Sequence, residues 1–174
     1  IPVEDCVLTK STRGYIKRLA CSEYSAQNRG GVGIKGMSIR EDDSVESMFV
    51  CSSHDSIMLF SNLGRVYKLK AYEIPEGTRT SKGLNIVNLL PLLENERITV
   101  MIPCPKEAEG HFVNMVTKNG IIKRTALELY NHIRKTGVIA INLDDDDELS
   151  YVAVTDGSTD LIVATKKGMA IRFN

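Results

Sequence analysis

At 174 residues the chain is long enough to bury a full core, covering about 70% of its unfolded surface if it folds as one compact unit, and its 43% hydrophobic content is ordinary for a globular protein. The 22 basic and 22 acidic residues cancel, which excludes binding to a polyanion through net charge alone and leaves any such role to the distribution of charge. No long apolar run marks a transmembrane helix, the first residues lack the regions of a signal peptide, and the four cysteines show no CxxC spacing, so reduced thiols in a cytosolic protein are expected and a zinc site is not.

The first segment, VLTKSTRGYIKRL at 7–19, reads as two short strands around a turn. The same unit returns as IMLFSNLGRVYKL at 57–69, VNMVTKNGIIKRT at 113–125 and LIVATKKGMAIRF at 161–173. In the third copy Lys118-Asn119-Gly120 is a strong hairpin signal, because Asn-Gly supplies the positive φ angles of a two-residue turn. Aligned on the turn glycines Gly14, Gly64, Gly120 and Gly168, the copies place Ser11, Ser61, Thr117 and Thr165 three residues earlier. Four residues later stand Arg18, Lys68, Arg124 and Arg172, all cationic. The glycines lie 50, 56 and 48 residues apart. A period near this length with several strands per unit points to propeller-like blades.

After each hairpin comes a polar segment carrying Arg29, Arg79 or Lys135 at one shared position. A glycine then opens another strand: Gly36 before MSI, Gly83 before LNIVNLL, Gly137 before VIAINL. An acidic stretch and a last apolar strand, within 47–50, 98–102 and 151–154, close the unit. The reading is all-β, with four short strands per repeat. Repeats span about 6–55, 56–110 and 111–158, with a partial one at 159–174, so three and a half blades are expected. Residues 126–134 have helical composition, but Pro75, Gly77 and Gly30 in the other copies argue against a helix.

The hairpin windows 10–18, 63–70, 118–124 and 166–172 hold 13 of the 22 basic residues and no acidic one. Stacked blades are therefore expected to show a basic rim and an acidic opposite surface, an arrangement that lets a neutral protein bind phosphate. The competing reading is ordinary solvated strand ends. The run Asp144-Asp145-Asp146-Asp147-Glu148 lacks calcium-loop spacing and reads as a turn. His54, His111 and His132 fall in no catalytic or metal-binding spacing, and Ser52-Ser53-His54-Asp55 cannot adopt triad geometry from adjacent positions. No catalytic constellation and no metal site are expected.

Three stretches carry a family resemblance: FSNLGRVYKLKAYEIPEGTR at 60–79, NIVNLLPL at 85–92 with ERITVMIP at 96–103, and NGIIKRT at 119–125. On these the sequence resembles the C-terminal domain of the A subunit of DNA gyrase, a bacterial type II topoisomerase. The resemblance implies a β-pinwheel, a disc of usually six four-stranded blades that exchange a strand with a neighbour. It implies a non-catalytic module that wraps double-stranded DNA without sequence preference, supporting negative supercoiling by a cytoplasmic assembly of two A and two B subunits. ATP and magnesium would act elsewhere in that assembly, with no cofactor here. DNA contacts would fall on Arg18, Lys68, Arg124 and Arg172, with Lys17, Lys70, Lys123, Arg29, Arg79 and Lys135. The family's seven-residue gyrase box corresponds to Gln27, Asn28, Arg29, Gly30, Gly31, Val32 and Gly33, where Asn28 and Val32 replace two basic positions. That departure leaves open the equivalent domain of topoisomerase IV. A protein-interaction propeller basic on one edge is the alternative of another class.

Overall fold

The opening strands of the first two hairpins, Asp5–Ser11 and Ser56–Ser61, are buried on both faces, which requires packing on either side of them. The computed structural model describes residues 1–25, 43–156, 161–164 and 170–173. In the first repeat β1 (Asp5–Ser11) and β2 (Tyr15–Ala20) form the hairpin, a single turn of helix α1 (Cys21–Ser25) follows, and β3 (Val45–Ser52) closes it. The second repeat has β4 (Ser56–Ser61), β5 (Arg65–Lys70), a two-residue β6 (Leu84–Asn85) and β7 (Ile98–Pro103). The third has β8 (Phe112–Thr117), β9 (Ile122–Ala126), a two-residue β10 (Val138–Ile139) and β11 (Leu149–Thr155). The fourth hairpin pairs β12 (Leu161–Ala164) with β13 (Ala170–Phe173).

The sheets do not coincide with the repeats. Their strand orders are β3-β1-β2-β6, β10-β5-β4-β7, β11-β8-β9 and β12-β13. The short strand after each crossover leaves its own repeat and completes the preceding blade: β6 pairs with Tyr15 and Ile16, and β10 with Arg65 and Val66. Two blades are thus four-stranded. The third has three strands among the described residues.

Two apolar cores lie between blades. Cys6, Leu8, Ile16 and Cys51 of the first meet Ile57, Leu59, Tyr67 and Met101 of the second. On the other face of the same β4 strand, Met58 and Phe60 meet Val113, Met115 and Val152 of the third. Successive residues of β4 thus feed opposite cores, since side chains alternate across a strand.

The turns are not the two-residue type. In each of the first three hairpins the glycine N–H donates to the carbonyl three residues earlier, at 3.0, 3.1 and 3.0 Å for Ser11, Ser61 and Thr117. Only the glycines take positive φ, at 88°, 80° and 89° for Gly14, Gly64 and Gly120, and Asn119 does not. This is a three-residue loop, a type I turn closed by a left-handed glycine bulge. The repeated hydroxyl is explained as well. Ser11 Oγ, Ser61 Oγ and Thr117 Oγ1 accept the N–H of the residue after the glycine, at 3.1, 3.3 and 3.0 Å.

The stretch 126–134 is not a helix, as expected from its sister repeats. It holds a four-residue 3-10 turn, Leu127–Tyr130, matched by Ala71–Glu73 in the second repeat and by α1 in the first. LNIVNLL and VIAINL yield only two strand residues each, because the chain turns away once it has reached the neighbouring blade; after β6 the Asn85 side chain accepts the Val87 N–H and starts a 3-10 turn at 3.2 Å. The MSI strand after Gly36 lies outside the described residues.

Candidate nucleic-acid interface

The crossovers decide which hairpin cations reach solvent. In the first blade the second repeat's crossover lies along the outer edge of β2, where Glu76 bridges Arg18 and β6 pairs further along. Lys17 is consequently fully buried, and its Nζ donates to the carbonyl oxygens of Thr78, Arg79 and Ser81 at 2.7, 3.1 and 2.8 Å. Burial pushes Lys17 down to about 8, opposed by the Glu23 carboxylate. Arg18, on the opposite face, is also buried; its Nε donates to the Ile74 carbonyl at 3.1 Å and its guanidinium lies 3.8 Å from Glu4. Lys10, a third cation of the same hairpin, is buried in a 2.9 Å ion pair with Glu46. The expected rim contacts Lys17 and Arg18 are therefore corrected: their charge is satisfied inside the protein, because a neighbouring repeat covers the strand that carries them.

The second and third blades differ. Lys68 is half-buried, with Nζ 3.5 Å from the Tyr130 carbonyl, and Lys70 is exposed, with Nζ 3.5 Å from the His54 carbonyl. Both line a cleft of about 500 Å3 between β5 and the third repeat's crossover, joined there by His132, Arg134, Asn131 and Glu73. Lys135 is exposed beside it. On β9, where no strand covers the edge among the described residues, Lys123 and Arg124 are exposed. Arg124 stacks 3.7 Å above the Phe112 ring, and Lys123 Nζ donates to the Ala140 carbonyl at 3.2 Å. Arg79 is half-buried on the loop that encloses Lys17. The side chain of Arg172 and all of Gln27, Asn28, Arg29, Gly30, Gly31, Val32 and Gly33 lie outside the described residues.

The described structure thus brings Lys68 and Lys70 together with His132 and Arg134, two residues absent from the contacts expected on sequence grounds. Arg134 is legible as the neighbour of Lys135. His132 carries no metal or catalytic spacing, and nothing local in the sequence places it opposite Lys70.

The acidic loops also depart from expectation. They sit against the hairpin turns and not on an opposite surface. Asp43 Oδ1 accepts the N–H groups of Arg13 and Ser44 at 3.0 and 2.9 Å. Asp147 Oδ1 accepts those of Asn119 and Glu148 at 2.9 and 2.8 Å. The second repeat uses Glu96 at this place, which accepts from the Tyr67 hydroxyl at 2.7 Å and the Leu93 N–H at 3.0 Å. Burial would raise the Asp43 and Asp147 carboxyls, but hydrogen bonds from the turns outweigh it and hold both below the usual carboxylate range. Asp144, Asp145 and Asp146 are not buried with it: Asp144 and Asp146 are exposed and Asp145 is open to solvent beside them. Among the described residues no group of histidine, cysteine and carboxylate side chains is arranged to hold a metal ion, and no helix is long and apolar enough to cross a membrane.

This geometry can be set beside known proteins. The family model described as DNA gyrase C-terminal domain, beta-propeller, matches residues 7–52, 55–105, 113–156 and 159–174. The A subunit of DNA gyrase from Clostridium acetobutylicum is 52% identical over the whole chain, and that from Halalkalibacterium halodurans 48%. The chain spans 21% of the length of each of these relatives. Among solved structures, the C-terminal domain of a DNA topoisomerase IV superposes with a TM-score of 0.82 at 29% identity, covering 100% of this chain and 53% of that one. A DNA gyrase A C-terminal domain superposes with a TM-score of 0.68 at 26% identity, covering 98% of this chain and 55% of that one.

Proposed function

Because the chain belongs to the DNA gyrase C-terminal domain family, we propose that it binds and bends double-stranded DNA along the outer edges of its blades, within a cytoplasmic type II topoisomerase of two A and two B subunits. The observation that carries the reading is the cleft between β5 and the third repeat's crossover, where Lys68, Lys70, His132 and Arg134 converge with one acidic neighbour, Glu73. A groove with several cations and low-dielectric walls concentrates an anion far better than scattered surface charge. Lys135, Arg124 and Lys123 extend the positive surface toward the third blade. Contacts of this type go to phosphates and carry no sequence preference. Arg172 and the box residues at 27–33 belong to the same reading. ATP and magnesium act in other parts of the enzyme, and this chain contributes geometry to the reaction and no bond-making step.

The test is a salt titration. Replacing Lys68, Lys70 and Arg134 by alanine is expected to lower the log–log salt slope of duplex binding by about 0.9 per lost contact, equally on any sequence. In a topology assay, closed circles relaxed in the presence of the protein are expected to retain a linking-number change that the triple variant loses. An unchanged slope together with an unchanged linking number would leave the protein-interaction reading in its place. Supercoiling by the whole enzyme separates gyrase from topoisomerase IV.

A further inference from the structure

Lys17 stands out among the buried groups that no role so far uses. An ammonium has three N–H donors and no acceptor. Here all three meet carbonyl oxygens of a single short loop, those of Thr78, Arg79 and Ser81, and the side chain has no exposed surface. Three carbonyl dipoles aimed at one point repel one another unless a cation sits between them. The loop is pinned at both ends. The Gly77 N–H donates to the Arg18 carbonyl at 2.9 Å. At Gly83 a Cβ would come within 2.6 Å of the Ile16 carbonyl oxygen, so the backbone lies flat on β2. Between these points the loop's own bonds all join residues 78 and 81: the Ser81 N–H and hydroxyl donate to the Thr78 carbonyl at 3.2 and 2.9 Å, and Ser81 Oγ accepts the Thr78 N–H at 3.0 Å, leaving the carbonyls of Arg79 and Ser81 to Lys17. The loop carries Arg79 and Lys82, the latter poised 4.0 Å above the Tyr15 ring.

We propose that Lys17 is a positioning residue for DNA: its buried ammonium gathers the carbonyls of residues 78, 79 and 81 and thereby holds Arg79 and Lys82 in place at the outer edge of the first blade. The proposal rests on the DNA reading above for its functional half and on geometry alone for its structural half. It makes the loop sensitive to protonation. Burial brings Lys17 down to about 8, and a neutral amine offers two N–H donors and a lone pair that faces the carbonyls. The charged groups around it among the described residues are Glu23 from α1, with Glu76, Arg79 and Lys82 from the crossover. Glu23 favours the charged form.

Amide hydrogen exchange on the intact chain tests the structural half. Protection of the amides at 78–83 is expected to fall as pH passes about 8, while the amides of β1 and β4 keep theirs. Lys17→Met should show the low protection at neutral pH already. The functional half is read from binding of a fluorescein-labelled duplex. Lys17→Met should lower the salt slope by about 0.9 for each loop cation displaced, up to both, and should change nothing further in an Arg79→Ala/Lys82→Ala background. An additive loss in that background would mean that Lys17 reaches phosphate itself, and the proposal would be wrong. Exchange at 78–83 that is indifferent both to pH and to Lys17→Met would overturn it as well. If Lys17→Met fails to fold, the pH series on the unaltered chain decides. If no duplex binding is found at all, the DNA reading falls, and the exchange data still decide whether Lys17 holds the loop.

Discussion

Cations that look alike in sequence end in different states. Arg18 is buried and bonded to the Ile74 carbonyl, whereas Lys68, also four residues after its turn glycine and also beside a crossover, is only half-buried. The difference lies in what a distant repeat lays over the strand, which no local pattern encodes. Aspartates diverge in the same way: Asp144, Asp145 and Asp146 remain in contact with solvent while Asp147 caps a turn. Exchanging the first three for asparagine should raise duplex affinity slightly, by removing repulsion. Asp147→Ala should lower the urea midpoint at neutral pH, because two N–H groups lose their acceptor. Both capping carboxyls are held low in the folded protein. Their stabilisation is therefore complete above the unfolded value of about 3.9 and is lost as pH falls through the folded value. Urea melts on both proteins should show the Asp147→Ala deficit shrinking below about pH 4.

Hairpins are the most legible elements. Their glycines, hydroxyls and apolar runs are local, and the three described turns form where the repeats align. The turn type is less legible, because Asn119-Gly120 in one copy suggests two positive φ angles, whereas Arg13 and Leu63 hold the same place in its sisters. The crossovers are the least legible, since their two-residue strands are specified by close approach to another blade. Gly137 shows this: a Cβ there would lie 2.7 Å from the Tyr67 ring, while one at Gly120 would meet nothing within 4 Å. Both take positive φ. Gly120→Ala should then cost about 1–2 kcal/mol from backbone strain alone, and Gly137→Ala clearly more. Equal losses in denaturant titrations would show that the crossover does not depend on that contact.

For the molecule as a whole, the sequence pattern leads to blades and to a basic edge, but the division into a basic rim and an acidic reverse does not hold. Acidic loops and basic turns share one end, and among the described residues Lys68, Lys70 and Arg134 meet in a cleft where a crossover meets the blade before it, while Lys123 and Arg124 stand exposed on β9. On the proposed DNA reading, wrapping requires clefts in different blades to act on one duplex. Bending a site of 20–30 base pairs costs roughly 1–6 kcal/mol, which contacts spread along the arc must offset. Neutralising Lys70 together with Lys82, in different blades, should therefore reduce end-to-end energy transfer in a doubly labelled duplex more than it reduces affinity for a short one. Parallel losses of both would indicate that the blades bind independently.

Because β6 and β10 each pair with a strand some 70 residues earlier, none of the first three repeats is a self-sufficient module. The arrangement works like overlapping roof tiles: every piece is fastened by the next. A damaging substitution in the crossover of the second or third repeat is felt one blade upstream of its own position, and a cut between the first and second or the second and third repeats strips a sheet on the side that seems intact. Duplication of such a gene segment would add a blade only by first covering the open edge of the one already there, and each new unit would inherit a partner before it acquired a role.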